Sequence, residues 1–211
     1  MKKKLYTFVL DGGPCGGKTE ALNTTIKHLE SLNYKVLVVP EVPRLLMDRG
    51  IHPKDIGMKK FQEIVLPKQL ELEDLAREEA ARLIDEGSKV VIFHDRGLLS
   101  PIAYLGEKND FHSYQLLLFA TIGLSLKEVL ARYNFVIHLK TAAHGAEEFY
   151  KNDESREESP EQARAIDDRL YFAWLRHFLD RYVVSNIVDG KQISFDKKIN
   201  TFLEIVMDQL E

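Results

Sequence analysis

Gly12-Gly13-Pro14-Cys15-Gly16-Gly17-Lys18-Thr19 lies between an apolar run, Tyr6 to Leu10, and a stretch in which Leu22, Ile26 and Leu29 recur at helical spacing. The run reads as a buried strand and the stretch as a helix from about Lys18 to Leu32. A Gly-x4-Gly-Lys-Thr pattern in that context is a Walker A phosphate loop. Its glycines let backbone N–H groups wrap the β- and γ-phosphates without Cβ clashes, and the helix start turns its positive end to the same anion. Lys18 is expected to bridge phosphate oxygens and Thr19 to ligate Mg²⁺. The whole stretch from Gly12 to Thr19 is thus expected to hold ATP or GTP. Cys15 sits where a thiolate is favoured, near Lys18 and a helix start; the rival reading is a small residue tolerated in a tight loop. No Asn-Lys-x-Asp guanine-reading motif occurs, and the choice between adenine and guanine stays open.

Outward from this loop, strand and helix alternate. Lys35–Val39 and Lys89–His94 are continuous apolar runs suited to a parallel sheet covered on both faces. Between them a long helix is expected from about Lys59 to Glu86, with a kink or break at Pro67. Helix follows over Phe111–Ile122, then a capping-box start at Ser125 and Glu128, a fourth strand at Phe135–Leu139 and a polar stretch from Thr141 to Ser159. Ser159-Pro160-Glu161-Gln162 opens another helix, Tyr182–Val188 reads as a fifth strand, and Ile199, Phe202, Leu203, Val206 and Leu210 form the stripe of a closing amphipathic helix. Five strands alternating with helices argue a doubly wound α/β sheet with helices on both faces. A single domain over 1–211 is expected, with a helical lid at about 141–169.

The 211 residues carry a net charge of −4, 45% hydrophobic and 29% charged residues. This is an ordinary globular composition with no electrostatic footprint for nucleic acid. One cysteine excludes an intrachain disulfide and suits a reducing, cytoplasmic compartment. The longest apolar stretch, Leu116 to Leu126, is far short of the roughly 20 residues that span a bilayer. Oligomeric state is not legible.

Further candidates flank the loop. Asp95 ends the run Val90 to His94, at the sheet edge where ligands of such folds bind, and is expected to hold Mg²⁺ through water or to accept a proton. Arg96 follows it and is expected to reach the transferred phosphate or the acceptor; the rival is a strand-ending turn with a surface ion pair. Glu41, between Pro40 and Pro43, is a candidate general base or hydroxyl-binding group, with Arg44 nearby; a proline-stiffened turn is the alternative. Arg156, Arg164 and Arg169 could supply the cations that close over a transferring phosphoryl group, or belong to a solvated, salt-bridged face with Glu157, Glu158, Asp167 and Asp168. His94, His138, His144 and His177 show no metal-ligand spacing, and His94 and His138 read as satisfied core residues. Together these residues suit a Mg²⁺-dependent phosphotransferase acting on a small hydroxyl acceptor. A nucleotide-dependent switch working through a protein or lipid partner is the alternative.

Gly12 to Thr19, Pro40-Glu41-Val42, Asp95-Arg96-Gly97 and the stretch from Val136 to Tyr150 also resemble a known family. It is the P-loop AAA-type domain family shared by the NadR ribosylnicotinamide kinase domain and the TRPL-translocation-defect protein. Arg156, Ala163-Arg164, Asp167, Trp174, His177 and Asn186 extend the resemblance over nearly the whole chain. It implies a kinase-like P-loop NTPase fold with strand order 2-3-1-4-5, nucleotide binding by Gly12 to Thr19, and a lid carrying Arg156 and Arg164. Bacterial kinase relatives phosphorylate a nucleoside, whereas a eukaryotic relative is a GTP-binding trafficking protein that recognises phosphoinositide. Ser100 stands where many relatives carry aspartate, which bears on the acceptor.

Overall fold

The structure, a computed structural model, describes residues 5–105, 111–150, 159–175 and 181–210. Along the chain run β1 (Leu5–Asp11), α1 (Lys18–Ser31), β2 (Tyr34–Val39), α2 (Val42–Met47), α3 (Pro53–Ile56), α4 (Met58–Asp85) and β3 (Lys89–Asp95). A 3₁₀ turn over Ser100–Tyr104 leads to α5 (Phe111–Ile122), α6 (Leu126–Leu130), β4 (Phe135–Leu139), α7 (Pro160–Ala173), β5 (Arg181–Val184), a short pair β6 (Ile187–Val188) and β7 (Lys191–Gln192), and α8 (Phe195–Asp208). The main sheet has the expected order β2-β3-β1-β4-β5, and every pairing in it is parallel.

Period-two alternation assigns each strand residue to a face. Phe8 and Leu10 of β1 join Phe93, Ile137 and Leu139 beneath α1 and α8, with Phe202 and Val206 packed against them. Val9 and Val136 point the other way, into a cluster with Leu66, Tyr114, Leu118 and Trp174. Each such fully buried side chain contributes about 1.5–3 kcal/mol, so both layers are needed to hold the sheet. Both capping boxes form: the Ser125 and Ser159 hydroxyls accept from the backbone N–H of Glu128 and Gln162.

Of the kink or break expected at Pro67 the break is absent: α4 runs on through this residue, which lies exposed on the helix. The fifth strand stops at Val184 instead of reaching Val188. The buried Asn186 side chain donates to Thr141 O and His144 O, which draws the chain out of the sheet into the β6–β7 hairpin.

In register, Leu10 pairs with Asp95, Val39 with His94, and Asp11 with His138. The parallel order therefore brings Asp11 and Asp95 to the same edge of the sheet as the phosphate loop. No helix among the described residues is long and apolar enough to cross a membrane.

Candidate functional site

The loop after β1 threads over the end of β4 with room for backbone alone. A Cβ on Gly12, whose φ is 131°, would lie 2.1 Å from Leu139 O, and one on Gly16 would lie 2.8 Å from the same oxygen. Gly17, at φ 85°, caps α1 without a side-chain hydrogen bond, so the first N–H groups of that helix are available to an anion. The Lys18 ammonium folds back over the loop and donates to Gly12 O at 3.0 Å and Gly13 O at 3.3 Å. Burial lowers its pKa and Arg96 adds to the effect, while Asp95, Glu41 and Asp11 pull the other way. Thr19 lies exposed on the first turn of α1. Cys15 adopts a left-handed φ of 55°, and its carbonyl accepts from Ala142 N.

Asp11 is the organising charge of the sheet edge. It is fully buried, and Oδ1 accepts from Gly12 N at 2.8 Å and from Arg96 Nη1 at 3.1 Å. Oδ2 accepts from Ser100 Oγ at 2.8 Å and from the Trp174 indole. Arg96, at φ 74°, also donates from Nε to Glu41 Oε1 at 2.6 Å and lies 5.5 Å from the Tyr104 ring. Arg96, a candidate for the transferred phosphate or the acceptor, holds its guanidinium between the Asp11 and Glu41 carboxylates and lines the cleft of the phosphate loop. Its left-handed backbone is strained for a non-glycine residue, and Arg96 N, bonded to Leu10 O, holds the turn.

Asp95 contrasts with Asp11. Its Oδ1 is buried without a hydrogen-bond partner. Burial raises its pKa, against the pull of Lys18, with Glu41 adding to the rise. Lys18, Thr19, Glu41, Asp95 and Arg96 all line one cleft of about 1400 Å³. The lining also includes Phe195, whose ring packs against Gly17, and Arg44, Phe61, Gln62 and Tyr104.

On α7, Arg164 donates to Ala143 O at 2.9 Å and to Glu161 at 3.0 Å, and Arg169 donates to Ala103 O at 2.6 Å, tying α7 to the 3₁₀ turn. Arg156 and His177 lie outside the described residues. The described flanks of the expected lid are anchored. Asp167 of α7 is fully buried, and its Oδ1 accepts from Gly13 N at 2.7 Å and Thr141 N at 3.1 Å. Lys140 lies 2.9 Å from its Oδ2 and His138 3.2 Å from its Oδ1. Burial alone would push the Asp167 carboxyl up, but His138, the Gly13 N–H and Lys140 outweigh it and hold the group well below the ordinary carboxylate range. His138 is a buried core residue, but apart from its closeness to Asp167 neither of its ring nitrogens makes a hydrogen bond, so it is not the satisfied histidine expected. His94 is buried too, but neither ring nitrogen makes a hydrogen bond, and burial pushes its pKa down to about 4. His144, Asp167 and Asp168 lie close enough to share a cation, but the Lys140 ammonium already bridges the two carboxylates.

Asp11, Asp167, Gln62 and Lys198 were missed as functional candidates. Asp167 falls on the buried α7 stripe of Ala163, Ile166 and Leu170, and Gln62 on the α4 stripe of Val65, Leu66 and Gln69. A polar residue on an apolar stripe was the available signal. Lys198, also buried, donates to Lys140 O at 2.6 Å and Asn186 Oδ1 at 2.7 Å, and burial lowers its pKa to about 8.

Residues 7–190 match a family model described as an AAA domain. The chain belongs to that AAA-domain family. No curated protein matches it. Among solved structures, this AAA-domain chain is similar to thymidylate kinase from Ehrlichia chaffeensis at 16% identity and TM-score 0.52, covering 99% of this chain and 100% of that one. At that identity the likeness is one of fold: a P-loop kinase-type sheet with a nucleotide loop.

Proposed function

We propose that this AAA-domain protein is a phosphotransferase that moves the γ-phosphoryl group of ATP or GTP to a hydroxyl of a nucleoside, nucleotide or related small molecule. The observation that carries the reading is Asp95: a buried, unpartnered carboxylate oxygen on the wall of the cleft that also holds Lys18. The loop amides and Lys18 hold the donor phosphates and balance their charge. Glu41, ion-paired to Arg96, orients the acceptor hydroxyl. As its oxygen bonds to the γ-phosphorus and the bond to the β–γ bridging oxygen breaks, the hydroxyl proton passes to Asp95. Mg²⁺ fits the donor set: the Thr19 hydroxyl would ligate it directly and Asp95 through water, and the ion would supply charge neutralisation between the phosphates. The single cysteine suits a cytoplasmic setting.

The Asp167 link between the phosphate loop and α7 favours a second reading, a switch whose nucleotide state is felt by α7 and read by a protein or lipid partner. Labelled ATP with a panel of nucleosides and other hydroxyl compounds separates the two. Transfer of label, lost in Glu41→Gln, supports the kinase. Tight nucleotide binding with no acceptor turnover sinks it.

A further inference from the structure

The buried stripe of α4, with Phe61, Val65 and Leu66, continues into two polar residues, Gln69 and Glu73. Glu73 has no exposed surface, and both of its oxygens are bonded. Oε2 accepts from Arg132 Nε at 2.8 Å. Oε1 accepts from Gln69 Nε2 at 3.0 Å and from Tyr133 Oη at 2.8 Å. Each of those two partners reaches on to the turn that follows β3. Gln69 Nε2 also donates to Arg96 O at 3.4 Å, and Tyr133 Oη accepts from Leu98 N at 3.0 Å. The turn between these points is tightly seated: a Cβ on Gly97 would lie 2.9 Å from the Trp174 ring and 3.2 Å from Tyr133 Cζ. Glu73, Gln69 and Tyr133 do not themselves line the cleft.

A buried ion pair returns about as much as its desolvation costs, so apolar side chains of like volume would hold α4 to the sheet equally well. What they would lack is direction: one oxygen that fixes two donors, and through them both sides of one turn. The geometry points to Glu73 as a positioning residue for phosphoryl transfer. Through Gln69 and Tyr133 it sets the turn from which Arg96 meets Asp11 and Glu41, next to Asp95. The inference rests on the proposed roles of Glu41 and Asp95. Arg96 is left-handed without being glycine, and the bonds at Arg96 O and Leu98 N hold it there. A displacement of about 1 Å in a reacting group costs up to about 100-fold in rate. Lys18 and the loop amides are set by β1 and α1, so nucleotide affinity is expected to stand.

The test compares three variants of the full chain. Gln69→Met and Tyr133→Phe each cut one arm and leave the Glu73–Arg132 pair in place. Glu73→Gln gives up that pair but keeps an oxygen for both arms. With ATP and the acceptor that takes label from it, the first two should lower kcat about 10- to 100-fold at unchanged KM for ATP. Glu73→Gln should lose thermal stability yet hold kcat near wild type, a crossing that a purely structural role does not give. In parallel, NMR follows exchange of the Arg96 Nε–H with water, which its bond to Glu41 slows. Exchange should quicken about 10-fold in Gln69→Met and Tyr133→Phe. Falls of Tm alone, with kcat and the Arg96 signal as in wild type, overturn the inference. If wild type transfers label to no acceptor, the phosphotransferase reading falls and the exchange measurement decides: quickened exchange supports the positioning of Arg96, and unchanged exchange overturns it. Should Tyr133→Phe fail to fold, Gln69→Met reads the same turn from its other side.

Discussion

The ends of β1 and β3 stand side by side in register, and each delivers an aspartate to the same sheet edge, yet the two carboxylates live in opposite circumstances. Asp11 is saturated by Gly12 N, Arg96, Ser100 and Trp174, four donors from three parts of the chain. Asp95, one strand over, keeps a buried oxygen with no partner and is pushed toward its neutral form by burial. The difference teaches that a charge at a ligand-binding edge is either structure or chemistry according to how many donors reach it. A fully bonded carboxylate fixes its neighbours and has no lone pair left for a substrate. The underbonded one is held for something that arrives later.

The contrast can be broken most forcefully at Asp11. Asp11→Ala leaves the buried Arg96 with one carboxylate fewer and should cost about 3–5 kcal/mol, lowering Tm by about 10 °C. Asp95→Asn should do the reverse: thermal stability held or raised, with phosphoryl transfer reduced about 100- to 1000-fold. Equal losses of Tm in the two variants would erase the distinction. A third carboxylate sharpens it through pH. Asp167 has its pKa depressed in the folded state, so its contribution is present above its unfolded value of 3.8 and is lost as pH falls through the lower folded value. Asp167→Ala should cost about 3 kcal/mol in urea unfolding at pH 7, and the gap to wild type should close in acid. A gap independent of pH would mean that the carboxylate acts only as a packing group. The smallest effect is expected at Ser100, where Ser100→Ala removes one bond to Asp11 and should cost about 1 kcal/mol with no change in nucleotide affinity.

What could be read ahead of the structure divides along the same line. Gly12 to Thr19 were legible because a phosphate loop is a local object, its glycines, lysine and threonine set by chain geometry within eight residues. The strand order came from resemblance, and both capping boxes from serine and an acid or amide three residues on. The role of Asp11 is not legible in the sequence, since its donors Arg96, Ser100 and Trp174 are distant along the chain. Arg164 was read for charge, but its direction depends on Ala143 O, a backbone group no side-chain pattern reveals. The overextended β5 failed for a related reason: Ile187 and Val188 look like strand, and only the buried demands of Asn186 take them out of the sheet.

The passage of Gly12 and Gly16 beneath Leu139 O has a further consequence. Ordering a backbone residue costs about 1–2 kcal/mol in entropy, and a loop rich in glycine has more of that freedom to lose than most. Wedged against a strand that is itself paired on both sides, this loop surrenders its freedom during folding. A nucleotide then meets a cradle already set, and its binding energy is left for the phosphates themselves.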